Sequence, residues 1–316
     1  MNAQLPLNNM LPTTIPEYLE QLRAALRGAD PAMIQDAVYD AEEYLRSELA
    51  EQNGKSEAEV IASVAGSYGA PEEVAEIYRD TEVTVNRALR APVPPKRSSL
   101  LGKFFGVIVD PRTYGALFYM LLSLATGIVY FTVVTTGLSV SLSLLILIIG
   151  VPLLVLFLGL IRVLSLVEGR IVEVLLGERM PRRPLYTQRG KGWLERIKEM
   201  FTDGRTWTAM LYFLLMLPLG IAYFTVAVTG LTTALAFIAA PLAAWIGMAD
   251  IRADADGWML IGDVGDGIVT DVHAWGLPFL FVGGILLLFV MLHVAKGIGK
   301  LHGLLAKHLL VRSPVV

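Results

Sequence analysis

The stretch "GIVYFTVVTTGL" occupies positions 127–138, and "GIAYFTVAVTGL" occupies 220–231. With Asp110 placed on Asp203, residues 110–138 align with 203–231, and 17 of the 29 pairs are identical. They include Asp110/Asp203, Arg112/Arg205, Thr113/Thr206, Tyr119/Tyr212, Gly127/Gly220, Tyr130/Tyr223 and Gly137/Gly230. Self-similarity on this scale marks an internal duplication. Beyond it, residues 149–179 loosely echo 282–312. Each unit therefore reads as an entering apolar span, a tight Thr-Gly turn, a returning span and an amphipathic tail.

The chain is 54% hydrophobic and 17% charged, against about 25% charged in a soluble domain. No Asp, Glu, Lys or Arg occurs in 113–161, 206–249 or 272–295. A helix needs about 20 apolar residues to cross a bilayer, and a soluble core helix keeps a polar face, so the chain reads as an integral membrane protein. The expected spans are about 113–135, 138–161, 206–228 and 277–295. The segment "LTTALAFIAAPLAAWIGMA" (231–249) sets four spans against five. Four are preferred, with 231–249 on, dipping into or packed outside the bilayer.

Charge orders these pieces. Residues 1–90 carry 16 acidic and 7 basic side chains. Residues 91–112, 162–205 and 296–316 are net basic, whereas 250–271 holds six Asp and one Arg. Basic loops stay on the cytoplasmic side, so both termini are expected inside and the acidic loop outside. A fifth span would reverse that pattern. Residues 1–15 lack the positive start and apolar run of a secretion signal. Two units that each cross twice start on one side, so the repeats are expected to be parallel, related by an axis along the membrane normal. No charge falls inside the first three spans as read here, which argues against an ion pathway.

Residues 16–90 read as a soluble helical domain. Pro16 opens a first helix with Leu19, Leu22 and Leu26 on one face and Gly28 as its stop. Asp30 and Pro31 start a second, which Gly54 ends. Ser56 with Glu59 forms the capping box of a third, and a fourth follows Pro71. "APVPPKR" (91–97) is a stiff linker, and the next residues to 109 form an interfacial amphipathic piece. The expected organisation is a disordered N-terminus at 1–15, a helical domain at 16–90, a linker and interfacial segment at 91–109, membrane repeat 1 at 110–180, a basic linker at 181–202, and repeat 2 at 203–312 with an external insertion at about 232–276. The fold class is an all-α membrane protein: a small soluble helical domain plus a four-span bundle of two parallel-repeat hairpins.

"YLEQLRAALRG", "IQDAVYDAEEYLRSELAEQNGKSEAEVIASVAGSYG" and "APEEVAEIYRD" resemble the bacterial HAAS domain, a helical signalling module. That family has a Leu-Gly-(Asp/Asn)-Pro stretch before an acidic helix. Here Tyr68, Gly69, Ala70 and Pro71 precede Glu72 and Glu73, departing at Tyr68 and Ala70. Residues 110–312 resemble the sensor domain found before bacterial histidine kinases, through "LPLGIAYF" (217–224), "TGL" (229–231) and "LLG" (175–177), without a kinase core. The resemblance implies signal transduction from the bacterial inner membrane. HAAS proteins are often paired with PadR-type transcription regulators, and neither family supplies catalytic residues.

Enzyme chemistry finds little material. There is no cysteine and only four His, at 273, 293, 302 and 308. No zinc motif, phosphate loop or Ser-His-Asp set is present. His302 and His308 read as part of a basic interface helix, and the expectation is no enzyme, no metal and no cofactor. Candidate ligand-binding residues are Tyr130 and Tyr223, lining a groove between the repeats, and Asp254, Asp256, Asp263, Asp266 and His273 of the acidic loop. That loop can form a hairpin about Asp266-Gly267, and its Asp254, Asp256, Gly257 spacing lacks the Glu that completes a calcium loop. Candidate partner or lipid contacts are Glu72 and Glu73, and Arg182, Arg183, Arg189 and Lys191 of the basic linker, which can also dock the acidic N-terminal domain. The expected partners are membrane lipids and a cytoplasmic regulatory protein or another membrane subunit, with no direct nucleic acid and a homo-oligomer compatible with the sequence. The expected function is a non-enzymatic membrane sensor. The alternative is an accessory subunit of a transport or lipid-handling complex.

Overall fold

A computed structural model describes residues 12–52, 54–89, 99–147, 150–181, 202–246, 251–253, 258–261, 270–273 and 276–311. Four helices form the N-terminal region: α1 (Ile15–Ala25), α2 (Pro31–Glu51), α3 (Glu57–Ser67) and α4 (Pro71–Leu89). Their starts follow the sequence. The Asp30 side chain accepts from the Ala32 amide, and Ser56 and Glu59 exchange both bonds of a capping box. Gly28, Gly54 and Gly69 take positive φ at helix ends, where a Cβ would be strained. Tyr18, Leu22, Leu26, Ala37 and Leu45 fill the core beneath these helices.

A short helix α5 (Leu100–Phe105) and a 3₁₀ turn (Gly106–Val109) lead to α6 (Pro111–Leu144). Another 3₁₀ turn (Leu145–Leu147) precedes α7 (Gly150–Leu176), followed by α8 (Gly204–Trp245) and α9 (Leu277–Leu310). Helices α6 to α9 are the four that are long and apolar enough to cross a membrane, with mean hydropathy of 2.0 to 2.5. The protein is thus a multi-pass membrane protein, and among the described residues its regular structure is helical apart from one small sheet. The sheet has strands β1 (Ile251–Ala253), β2 (Trp258–Ile261) and β3 (Thr270–His273), antiparallel throughout, with Ile261 opposite Thr270. The β2–β3 pairing agrees with the expected hairpin, whose connecting residues lie outside those described.

The spans are longer than the sequence suggests, because the Thr-Gly pairs are not turns. Helix α6 runs straight through Gly137 and α8 through Gly230. A Cβ at Gly137 would sit 2.3 Å from the Phe157 ring, and one at Gly230 would sit 2.3 Å from the Met291 sulfur. These glycines are contact points against the returning helix. Segment 231–249 is likewise no separate span: residues through Trp245 continue α8, past Pro218 and Pro241.

One register relates the returning helices. Gly150, Phe157, Arg162, Glu168 and Gly169 of α7 hold the places of Gly284, Met291, Lys296, His302 and Gly303 of α9, as their matching contacts show. This differs by one residue from the sequence alignment of 149–179 with 282–312, which set Glu168 against Leu301. In uniformly apolar sequence, composition alone does not fix a register.

The direction of the repeats is also a correction. Within each unit the two helices are antiparallel: Gly137 meets Phe157 and Gly115 meets Leu175, and Gly230 meets Met291 while Gly284 meets Phe237. Across units, α6 runs alongside α9 in the same direction, through Asp110 with Lys296, Ala116 with Gly299 and Tyr119 with His302. Helices α6 and α8 are therefore antiparallel. Their closest approach agrees: a Cβ at Gly127 would lie 2.5 Å from the Met216 carbonyl, and one at Gly220 would lie 2.3 Å from the Ser123 carbonyl. The axis relating the units lies across the helices, so the repeats are inverted rather than parallel. Charge counting placed both unit starts on one side of a membrane, but it is blind to which helix of one unit packs against which helix of the other.

Candidate functional site: a buried acid–base cluster between the repeats

Asp110 and Asp203 start the first helix of each unit, and each does two things. One carboxylate oxygen caps its own helix, accepting from the amide of Arg112 or Arg205. The other reaches into the opposite unit, to Lys296 at 2.6 Å and to Arg162 at 3.4 Å. Residues far apart in sequence are thereby pinned in register, and two turns along the helices the polar core appears.

At that core lies Glu168, fully buried, with His302 in the corresponding place of the other unit, also fully buried. Between them stand Tyr119 and Tyr212. The Tyr119 hydroxyl lies 2.7 Å from Glu168 Oε1 and 2.6 Å from His302 Nε2. The Tyr212 hydroxyl lies 2.8 Å from Oε1 and 2.9 Å from Nε2. Tyr130 donates to Oε2 at 2.8 Å, and its repeat mate Tyr223 lies 3.4 Å from His302 Nδ1. The ring of Tyr119 tilts over the imidazole at 4.8 Å.

The proton count follows from the donors. With Glu168 ionised, three phenols donate to it. Their protons are then spent, so the imidazole must be the donor at Nε2 toward Tyr119 and Tyr212. Nδ1 then accepts from Tyr223 if the ring is neutral, or donates to it if the ring is charged. The same heavy-atom frame fits both states. A buried carboxylate is tolerated only where its oxygens are bonded and its charge is balanced nearby, and here every oxygen is bonded.

Two of these groups lie where the sequence pattern predicts otherwise: it sets Glu168 in an amphipathic tail beyond the second span and His302 in a basic interface helix. The structure puts both inside helices long enough to cross a membrane, and it overturns the expectation that the first three spans carry no charge. The available signal was Tyr119/Tyr212, a polar pair kept in both copies within otherwise apolar segments. Tyr130 and Tyr223, read as lining a groove, point their hydroxyls at Glu168 and His302. Glu72 and Glu73 lie exposed on the first turn of α4, and His273 falls in β3. Asp254, Asp256, Asp263, Asp266, Arg182, Arg183, Arg189 and Lys191 lie outside the described residues. Among those described, no group of three His, Cys, Asp or Glu gathers to hold a metal.

The N-terminal region touches the ends of the two returning helices. Arg179, just past α7, pairs with Asp36 at 3.3 Å, and Lys307 of α9 pairs with Asp30. Ala32 joins the bundle's apolar cluster with Met180, Leu310 and Val311. Lys307 lies five residues beyond His302, about 7.5 Å along the helix axis.

No curated protein and no solved structure matches the chain. A family model described as "Putative sensor" matches residues 119–310, well over half the sequence and the whole buried cluster. The chain belongs to that sensor family.

Proposed function

We propose that the protein is a non-enzymatic sensor of the bacterial inner membrane that passes a membrane or external signal to a cytoplasmic partner through its N-terminal helical domain. One observation carries this reading: the helices that hold Glu168 and His302 are also the helices whose ends grip the N-terminal region, through Arg179–Asp36 and Lys307–Asp30. A change at the cluster that shifts α9 against α7 moves two anchors of one acidic domain. The HAAS-like sequence of 16–90, with exposed Glu72 and Glu73, supplies a surface for a regulatory protein, PadR-type by the resemblance. The acidic N-terminal region and the basic segment at 91–112 support a cytoplasmic N-terminus.

The transport-accessory reading gains a buried carboxylate, Glu168. Both its oxygens are occupied by tyrosine hydroxyls, which suits a fixed structural element better than a cargo site.

The chain has no cysteine, so spin labels can be placed singly. Labels at Glu72→Cys and Leu301→Cys in nanodiscs report the distance from α4 to α9. Combining Lys307→Glu with Arg179→Glu is expected to broaden and lengthen that distance and to change how much cytoplasmic partner co-purifies from native membranes. Removing residues 1–90 is expected to abolish co-purification. An unchanged distance, with the same proteins retained by every form, overturns the reading.

A further inference from the structure

The two ion-pair corners are repeat copies of one another, but they are not alike. At Arg162–Asp203 the space is small, about 30 Å³, with Ser165 and Leu166 in its wall. At Lys296–Asp110 the matching positions are Gly299 and Lys300, and a cleft of about 240 Å³ opens. The first holds one water at most, whereas the second holds several at ~30 Å³ each.

The arginines differ in the same way. In the smaller corner Arg205 donates through Nε to the Leu310 carbonyl at 2.8 Å. Its repeat mate Arg112 faces the larger cleft, and its side chain makes no hydrogen bond or ion pair with any described residue. Lys300 and Glu178 line the same cleft and are also without such a bond. Asp110 is occupied by Lys296 and by the Arg112 amide. Glu178 is held in place by Gly303, where a Cβ would come within 2.5 Å of its Cγ. The cleft thus offers a guanidinium fork and an ammonium that donate to no described residue, and beside them a carboxylate that accepts from none.

We infer that this cleft binds a phosphodiester carrying a hydrogen-bond donor next to the phosphate. Arg112 grips two phosphate oxygens as a fork and Lys300 supplies a point charge. Glu178 accepts from the adjacent ammonium or hydroxyl. A free phosphate is disfavoured because its additional negative charge meets the Glu178 carboxylate. The chemistry is that of a phosphatidylethanolamine or phosphatidylglycerol headgroup, and equally of the water-soluble glycerophosphodiesters that share it.

The test uses the full-length protein in detergent and native mass spectrometry, titrating phosphatidylethanolamine, phosphatidylglycerol, phosphatidylcholine, glycerophosphoethanolamine and inorganic phosphate separately. Phosphatidylcholine carries the same phosphodiester but no donor. The expected result is at least tenfold tighter binding of the ethanolamine or glycerol lipid than of choline lipid or inorganic phosphate. Arg112→Ala and Lys300→Ala are each expected to weaken that binding at least fivefold, and Glu178→Gln to erase the preference over choline lipid. The exposed Lys300 tests the site without disturbing the fold, and Arg170→Ala, on the outer face of α7, serves as the unchanged control. Equal affinity of glycerophosphoethanolamine and the lipid assigns the site to a soluble metabolite, and a preference for the lipid assigns it to the membrane. Equal binding of choline and ethanolamine lipids, or wild-type binding by Lys300→Ala, overturns the inference.

Discussion

Glu168 and His302 hold the same place in two copies of one hairpin, and they meet across a shared pair of tyrosines that are themselves repeat mates. Tyr119 and Tyr212 each touch both Glu168 Oε1 and His302 Nε2. An acid and a base thus take opposite ends of an otherwise near-symmetric polar core.

Removing the acid should be costly. Glu168→Ala strands three buried phenols, and losing one partner of a buried charged network costs about 3–5 kcal/mol. Glu168→Gln keeps the volume and one acceptor, so its cost should be smaller, about 1–2 kcal/mol. Chemical unfolding in detergent should rank them in that order. A Glu168→Ala protein as stable as wild type would show that the carboxylate is not where the structure puts it.

The repeat symmetry itself can be measured. Tyr119→Phe and Tyr212→Phe remove equivalent hydroxyls and should destabilise about equally, by about 1–2 kcal/mol each. Tyr223→Phe should cost least, because its hydroxyl stands 3.4 Å from the imidazole. The Tyr119/Tyr212 double variant should depart from additivity, since both bond the same two groups. Additive costs would separate the pair into independent contacts.

The crossing of α6 and α8 depends on bare backbone. Gly127→Val and Gly220→Val should each disrupt the bundle, because even a Cβ there falls within 2.5 Å of the opposing carbonyl. Gly283→Ala, with nothing within 4 Å, should behave as wild type. Size-exclusion profiles and thermal unfolding read both outcomes, and a tolerated valine at 127 would rule out the close crossing.

Asp110 gives a pH signature. Burial raises its pKa, but the bond from Lys296, the Arg112 amide and the two cations outweigh that, and the carboxyl titrates below its ordinary value. A depressed pKa adds stability above the unfolded value of about 3.9 and loses it as pH falls through the folded value. Asp110→Asn should therefore lower stability at neutral pH and flatten the decline below about pH 4. An unchanged acid limb in Asp110→Asn would mean that the Lys296 pair contributes nothing.

Much of this architecture was legible in the sequence. Caps at Asp30 and Ser56 mark the N-terminal helices because capping is a local rule, satisfied within three residues. Four spans follow from apolar length, and the duplication from identity at matched positions. What escaped is long-range. A glycine inside an apolar helix looks the same whether it turns the chain or admits a neighbour, so Gly137 and Gly230 were read as turns. A lone Glu or His in an amphipathic helix does not announce which way it points, so the pattern alone leaves Glu168 and His302 on the surface. The direction of the repeats rests on Asp110–Lys296 and Asp203–Arg162, pairs that join residues with no sequence proximity.

The reciprocal ion pairs carry an evolutionary consequence. Each unit's opening helix is fastened by the other unit's returning helix, the arrangement of a symmetric dimer of one hairpin. In such a dimer the places of Glu168 and His302 would hold identical side chains: two carboxylates repelling each other across the phenols, or two imidazoles with no acid to answer them. Fusing the copies into one polypeptide removed that constraint. A joined pair can place an acid on one side and a base on the other, and so gain a core that two identical subunits could never build.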